Sequence, residues 1–281
     1  MSYASACLAS VSFVHAIHAR LRFASCPPDT PIPAPAMTSP ALMSEPLRPV
    51  RVLIHGATGR MGQALLRLAG EGADGSVVVA AVSRNPGQRV VDGVPQFAAR
   101  ELNGVPEFDV AIDFSLPQAF DAILASCVAR GAALVSGTTG LEPRQLEALQ
   151  EASARIPVMS AANFSLGVAV LGDLVERAAA ALREWDCDII ESHHVHKKDM
   201  PSGTALALGE SAGHGGAHPR YVALRAGDIV GEHAVQFTGM GERIELIHRA
   251  GNRDIFARGA LHAAARLAGR EPGRYRLRDV L

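Results

Sequence analysis

Val50-Arg51-Val52-Leu53-Ile54-His55 is an apolar run that ends directly on Gly56-Ala57-Thr58-Gly59-Arg60-Met61-Gly62, and the amphipathic run Gln63 to Ala69 follows without a gap. A short buried-type strand, a glycine turn and a helix in immediate succession restrict the fold to a narrow set. The spacing is G-x-x-G-x-x-G, a variant of the usual dinucleotide pattern. Gly56 permits the tight turn, Gly59 lets a pyrophosphate reach the helix N-terminus, and Gly62 lets the helix pack close to the strand. A plain strand–helix turn is the competing reading.

The α/β rhythm continues for a hundred residues. A second strand, Val77 to Val82, ends at Ser83-Arg84. An NAD-selective site usually carries Asp or Glu here to hold the ribose hydroxyls. Serine does not repel a 2′-phosphate, and Arg84 pairs with one. This predicts NADPH as the favoured cofactor, without excluding NADH, and Arg60 in the glycine turn is placed to assist. A strand over 108–115, a helix from Pro117 to Arg130, and a strand over 132–136 follow. That last strand meets Gly137-Thr138-Thr139-Gly140, where open sheets bind ligands. A helix over 143–155 and a strand over 157–162 complete the unit, which reads as an α/β dinucleotide-binding domain.

Beyond Asn163-Phe164-Ser165 comes a long helix, with Leu166, Val170, Leu174 and Ala178 on one stripe. Strands over 187–195, 220–225, 233–238 and 242–249 predict a mixed or antiparallel sheet with helices on one face. The last helix, Arg253 to Ala268, is alanine-rich and is expected to return to the first unit.

Residues 191–205, Glu191-Ser192-His193-His194-Val195-His196-Lys197-Lys198-Asp199-Met200-Pro201-Ser202-Gly203-Thr204-Ala205, carry the chemistry. Three imidazoles and two ammonium groups fall within six residues, directly before a helix start. The first amides of a helix have no internal partner and sit at the positive end of its dipole. Ser202, Gly203 and Thr204 therefore offer N–H groups to a carboxylate or phosphate, and Gly203 admits close approach. Lys197 or Lys198 adds full charge, and a histidine supplies a proton near neutral pH. The segment describes a pocket for a small dianion with a proton donor beside it. A zinc site is disfavoured: adjacent histidines on a strand point to opposite faces, and two lysines repel a cation. The remaining alternative is a solvated basic loop.

Composition narrows the partners. With 281 residues and a net charge of −1, the chain has room for two domains and no charge excess toward nucleic acid or an anionic membrane. Cys7, Cys26, Cys127 and Cys187 show no paired spacing, which fits a reducing, cytoplasmic setting, with Cys127 and Cys187 as core residues. No run of about 18 apolar residues exists to span a membrane. Residues 1–49 differ from the rest. The first 28 hold no acidic group, and residues 27–49 hold eight of the seventeen prolines. They read as a disordered extension, or as sequence upstream of a true start at Met37 or Met43.

The segments Gly56–Gly62, Gly137–Gly140, Ala161–Ser165, Glu191–Ala205, Arg225–His233 and His248-Arg249 through Arg253 together resemble the 4-hydroxy-tetrahydrodipicolinate reductase (dihydrodipicolinate reductase) family, of the diaminopimelate route to lysine. The Glu191–Ala205 block is the specific part. The resemblance implies a Rossmann domain formed by 50–163 and 249–281, an α+β substrate-binding and oligomerisation domain over 164–248, and a homotetramer. It implies His193 as general acid and Lys197 as assisting donor. It places His194, Gly203 and Thr204 on the dicarboxylate. Gly56 to Met61, Arg84, Gly137 to Thr139, Ala161 to Phe164 and Arg253 then lie along the nucleotide, and no metal is implied. Two departures stand out: Ser83 replaces the usual acidic residue, and 211–219 is shorter than in many relatives.

Rival functions leave weaker traces. A short-chain-type reductase would carry Tyr-x-x-x-Lys, and Tyr3, Tyr221 and Tyr275 have no Lys at that offset. A semialdehyde dehydrogenase would place a cysteine in an electropositive turn. A non-catalytic NADPH-sensing protein would not need an acid beside a dianion pocket.

Overall fold

Strand order reverses at one point of the larger sheet, the kind of point at which open α/β sheets bind ligands. The computed structural model describes residues 48–72 and 75–281. The expectations for residues 1–49, including Met37, Met43, Cys7 and Cys26, fall almost wholly outside them. The first half runs β1 (Val50–His55), α1 (Arg60–Gly70), β2 (Ser76–Ser83), β3 (Val90–Val91), β4 (Val94–Ala98), β5 (Val110–Asp113), α2 (Pro117–Arg130), β6 (Ala133–Ser136), α3 (Pro143–Ala152) and β7 (Pro157–Ser160). The second half runs α4 (Leu166–Ala181), β8 (Asp186–His193), α5 (Gly203–His214), β9 (Arg220–Arg225), β10 (Glu232–Gly239), β11 (Glu242–Arg249), α6 (Asp254–Leu267) and β12 (Gly273–Tyr275).

The larger sheet has the order β12-β7-β6-β5-β1-β2-β4-β3 and is parallel except for the β3–β4 hairpin. From β1 the chain builds outward to β2 and β4, then returns to β5 on the other side. The crevice between the carboxyl ends of β1 and β5 is thus the topological switch point. Alternation along β1 sends Val52 and Ile54 to one face and Leu53 to the other. α1 and α6 cover the first face with Leu65, Leu68, Ala260, Leu261 and Leu267. α2 and α3 cover the second with Phe120, Ile123 and Leu149. Burial on both faces is why these strands read as continuous apolar runs. α6 returns to this sheet, as its sequence suggested, and β12 pairs with β7. Residues 84–107 carried no sequence assignment. They form the β3–β4 hairpin and a 3-10 turn over 99–104, where a regular Rossmann unit has a helix.

The smaller sheet, β11-β10-β8-β9, is mixed: β8 and β9 are parallel and the other pairs antiparallel. α4 and α5 pack on one face around Leu171, Val175, Ile189, Leu208, Val235 and Phe237. The stripe expected on α4 is shifted by one residue. Leu171, Val175 and Ala179 are buried, while Val170 and Leu174 are exposed. Two adjoining rows of this helix are apolar, so periodicity alone does not choose between them. Among the described residues, no element covers the opposite face of the sheet, which presents Val222, Leu224 and Ile247.

Candidate active site

The glycine turn lies at the switch point. Gly56 has φ +84°, and a Cβ there would stand 2.5 Å from the Phe114 carbonyl oxygen, so only glycine passes between the two strand ends. A Cβ on Gly62 would stand 2.4 Å from the Gly56 carbonyl oxygen, which brings α1 onto the turn. Not every amide of the turn is free. Gly56 and Ala57 both donate to the Val82 carbonyl, and Gly59 donates to Gly56. Among the described residues, the Thr58, Arg60 and Met61 amides have no backbone acceptor, and the Gly59 cap supplies no side-chain acceptor. Unpaired amides at a helix N-terminus are suited to receive an anion. Ala57 is fully buried and contributes backbone only.

Ser83 ends β2 buried, with a hydroxyl that has no partner among the described residues, and Arg84 beside it is exposed. A buried, unpartnered hydroxyl next to a free guanidinium suits a polar ligand such as a substituted ribose. The residues therefore fit a dinucleotide.

The Gly137–Gly140 turn is held by a buried polar network that its sequence did not announce. His55 Nδ1 lies 2.8 Å from Asp113 Oδ1. The other carboxylate oxygen, Oδ2, accepts from Ser136 Oγ at 2.9 Å and from Thr138 Oγ1 at 2.7 Å. Burial drives the Asp113 carboxyl up, but the His55, Ser115 and Thr138 hydrogen bonds outweigh it and hold it below the usual range. The Thr138 hydroxyl is thereby committed to Asp113 and its backbone to the turn. Thr139 and Gly140 are the exposed members of the turn.

Phe114 connects this turn to the next loop, packing edge-on against Phe164 with centroids 5.6 Å apart. Ala161 and Asn163 are half-buried beside the exposed Ala162, and Asn163 Nδ2 donates to Thr204 Oγ1 at 2.9 Å. That bond carries the path from the nucleotide side to the first turn of α5.

Period two on β8 explains the acid–base group. Glu191 and His193 share a face of the strand, so the carboxylate reaches His193 Nδ1. The β8–β9 register sets Arg225 opposite His193, and Arg225 grips the same carboxylate with bonds of 2.8 and 2.9 Å. Glu191 Oε1 also accepts from the Ser202 amide at 3.2 Å. Burial raises the Glu191 carboxyl, but Arg225 and His193 more than offset it and keep it ionised. Removing one member of such a buried pair typically costs about 3–5 kcal/mol. His193 is pulled below its usual value by burial, against an upward push from Glu191. The His233 ring stands 5.1 Å away, edge-on, and burial drives that imidazole down to about 4. His233 is therefore neutral at physiological pH, with Nε2 on the Ser202 hydroxyl at 3.1 Å.

The expectation for Ser202 needs correction. Its amide is not free but committed to Glu191, and its hydroxyl caps α5 by accepting from Ala205. Gly203 is exposed and Thr204 half-buried at the start of α5. Lys197 Nζ pairs with Asp199 Oδ1 at 2.8 Å, and the Gly203 amide also reaches the Asp199 carboxylate. An internal carboxylate thus sits where an anionic ligand would. His194 follows the strand end and approaches Arg253 at 3.5 Å, which places both at the same mouth. Arg225, Asp199, His233 and the His55–Asp113 pair were missed as site residues. Strand alternation from His193 back to Glu191 was the one signal that pointed to the Glu191 contact.

Two family models divide the chain between them: "Dihydrodipicolinate reductase, N-terminus" matches residues 50–164, and "Dihydrodipicolinate reductase, C-terminus" matches residues 167–281. The chain belongs to the dihydrodipicolinate reductase family. A 4-hydroxy-tetrahydrodipicolinate reductase of Stenotrophomonas maltophilia (strain R551-3) is 70% identical over 234 residues, covering 83% of this chain and 98% of that protein. One of Xylella fastidiosa (strain 9a5c) is 65% identical over 232 residues, with the same coverage. Among solved structures, a dipicolinate-bound dihydrodipicolinate reductase from Paenisporosarcina sp. TG-14 superimposes with a TM-score of 0.70 at 22% identity. That match covers 83% of this chain and 99% of that one, and it shows the shared fold. Family membership makes this chain an NAD(P)H-dependent oxidoreductase with a nicotinamide cofactor on its Rossmann sheet.

Proposed function

We propose that this reductase converts 4-hydroxy-tetrahydrodipicolinate to tetrahydrodipicolinate in the diaminopimelate route to lysine, with NADPH favoured and NADH also accepted. The observation that carries the reading is the convergence of His193, Lys197 and the α5 N-terminus on one mouth, joined to the nucleotide side through Asn163 and Thr204. The relatives' activity supports the substrate, and the dipicolinate bound to the Paenisporosarcina reductase supports a planar dicarboxylate.

In the overall reaction the substrate loses its 4-hydroxyl as water and gains one hydride and one proton. The bound reduced nicotinamide supplies the hydride. Lys197 and the Gly203 and Thr204 amides hold carboxylates, His194 borders them, and Lys197 stabilises developing negative charge. Protonated His193 gives its proton to the carbon at the far end of the conjugated system. General acid catalysis of this kind is worth roughly 10²–10⁴-fold. Thr58, Arg60 and Met61 receive the pyrophosphate, Ser83 and Arg84 the adenosine ribose and its 2′-phosphate, and the backbone at 137–139 and 161–164 the nicotinamide half, with Arg253 nearby. The nucleotide domain comprises 50–163 and 249–281, and the substrate domain 164–248. The open face of the smaller sheet, with Val222, Leu224 and Ile247, supports a homotetramer in which another copy covers it. No described helix is long and apolar enough to cross a membrane, and a cytoplasmic location suits the free cysteines.

The test is a coupled assay with the dehydratase product and each reduced cofactor. Oxidation of NADPH faster than NADH supports the proposal. A sensor would bind NADPH without turnover and without tightening toward pyridine-2,6-dicarboxylate. The relatives give that alternative no support.

A further inference from the structure

The Glu191 side chain has no solvent exposure and accepts four hydrogen bonds from three partners, His193, Arg225 and the Ser202 amide. One oxygen accepts from His193 Nδ1 and from Arg225; the other accepts from Arg225 and from the Ser202 amide. Arg225 in turn donates to the Lys197 and Asp199 carbonyls, so the strap that carries Lys197 hangs from the same carboxylate. Nothing in the reaction requires a buried carboxylate to touch the substrate. Its placement instead determines which nitrogen of His193 can.

We propose that Glu191 is a positioning residue for proton transfer: by accepting the Nδ1–H of His193 it fixes that tautomer and leaves Nε2 as the atom that carries the transferable proton. This rests on His193 being the proton donor. In the step, the Nε2–H bond of the imidazolium breaks as a C–H bond forms on the substrate. The electron pair stays on Nε2, and Nδ1–H remains on the Glu191 carboxylate throughout. Solvent then reprotonates Nε2. Nε2 faces Gly231, where a Cβ would stand 3.1 Å from it, so the glycine keeps a side chain off that edge.

The charged and titratable groups facing His193 are Glu191 on its own strand, Arg225 on β9, His233 on β10 and Lys197 on the strap. Burial, Lys197 and Arg225 disfavour the imidazolium, and Glu191 alone favours it. Removing the carboxylate therefore lowers the His193 pKa. The donor works only below its pKa, so the alkaline limb of the kcat profile must move to lower pH.

Two measurements test this. Nitrogen-15 NMR of histidine-labelled full-length wild-type protein, with the His193 signals assigned by their loss in His193→Gln, reads the tautomer directly. Above its titration the neutral ring is expected to hold its proton on Nδ1; a proton on Nε2 overturns the proposal. Glu191→Gln is expected to lower kcat at least about tenfold, but by no more than the roughly 10²–10⁴-fold worth of the general acid itself, and to shift the alkaline limb downward. In the His193→Gln background the same change is expected to add no more than about threefold, because groups acting as a unit are non-additive. An unmoved limb, or a full additive loss, overturns the role of Glu191. Should Glu191→Gln not fold, the wild-type tautomer still decides. A His193→Gln enzyme with near-normal kcat would sink the donor reading itself. A crippled His193→Gln beside a Glu191→Gln limb that stays put would sink only this inference.

Discussion

Asn163 Nδ2 donates to Thr204 Oγ1 at 2.9 Å, and Asn163 Oδ1 accepts from the Ser165 amide at 2.7 Å. One side chain thereby fixes both the loop after β7 and the first turn of α5. A single neutral hydrogen bond contributes about 0.5–1.5 kcal/mol, or roughly two- to twelvefold. Asn163→Ala is expected to raise KM for dicarboxylate and nucleotide together by that amount. Initial-rate matrices in both ligands check it; a rise confined to one ligand would mean that the bond does not couple them.

Lys197, paired with Asp199 at 2.8 Å, is the cation proposed to hold a substrate carboxylate. Lys197→Met is expected to reduce kcat/KM by roughly 10- to 100-fold, the range for a charge-assisted bond worth about 1.5–3 kcal/mol. Steady-state kinetics on a folded variant read this directly.

Asp199 competes for the same cradle, since Lys197 and the Gly203 amide both contact its carboxylate. The carboxylate is more than half exposed, so the competition is weak. Asp199→Asn is expected to lower KM for the dicarboxylate by about two- to fivefold, an effect that salt diminishes.

Ser83 and Arg84 set the nucleotide preference in this account. Arg84→Ala is expected to raise KM for NADPH about tenfold and leave NADH nearly unchanged, because only the former has a 2′-phosphate to pair. Parallel titration with both cofactors checks the asymmetry.

Asp113 ties the stability of the nucleotide side to pH. Its folded-state carboxyl lies below the unfolded value, so its contribution is present above the ordinary carboxylate range and is lost as pH falls through the folded value. Asp113→Asn is expected to destabilise the protein by about 1–3 kcal/mol near neutrality and by less in acid. Denaturant titrations at two pH values measure both.

Local patterns showed most of this fold. The glycine turn, the parallel strands and the helix over 117–130 each carry their periodicity in contiguous residues. The hairpin over 90–98 lacks such a run, since its β3 arm is two residues long. On α4 two neighbouring apolar rows compete, and only packing against α5 selects Leu171 and Val175. The site divides in the same way. His193, Lys197 and Thr204 stand in one continuous block. Arg225 enters through strand register, and Asp113 through three strand ends meeting, which no linear spacing encodes.

The most direct test of the central claim is kcat of His193→Gln, measured on folded protein with 4-hydroxy-tetrahydrodipicolinate and NADPH. The account predicts a fall of roughly 10²–10⁴-fold with KM little changed. A kcat close to that of the wild type would contradict it.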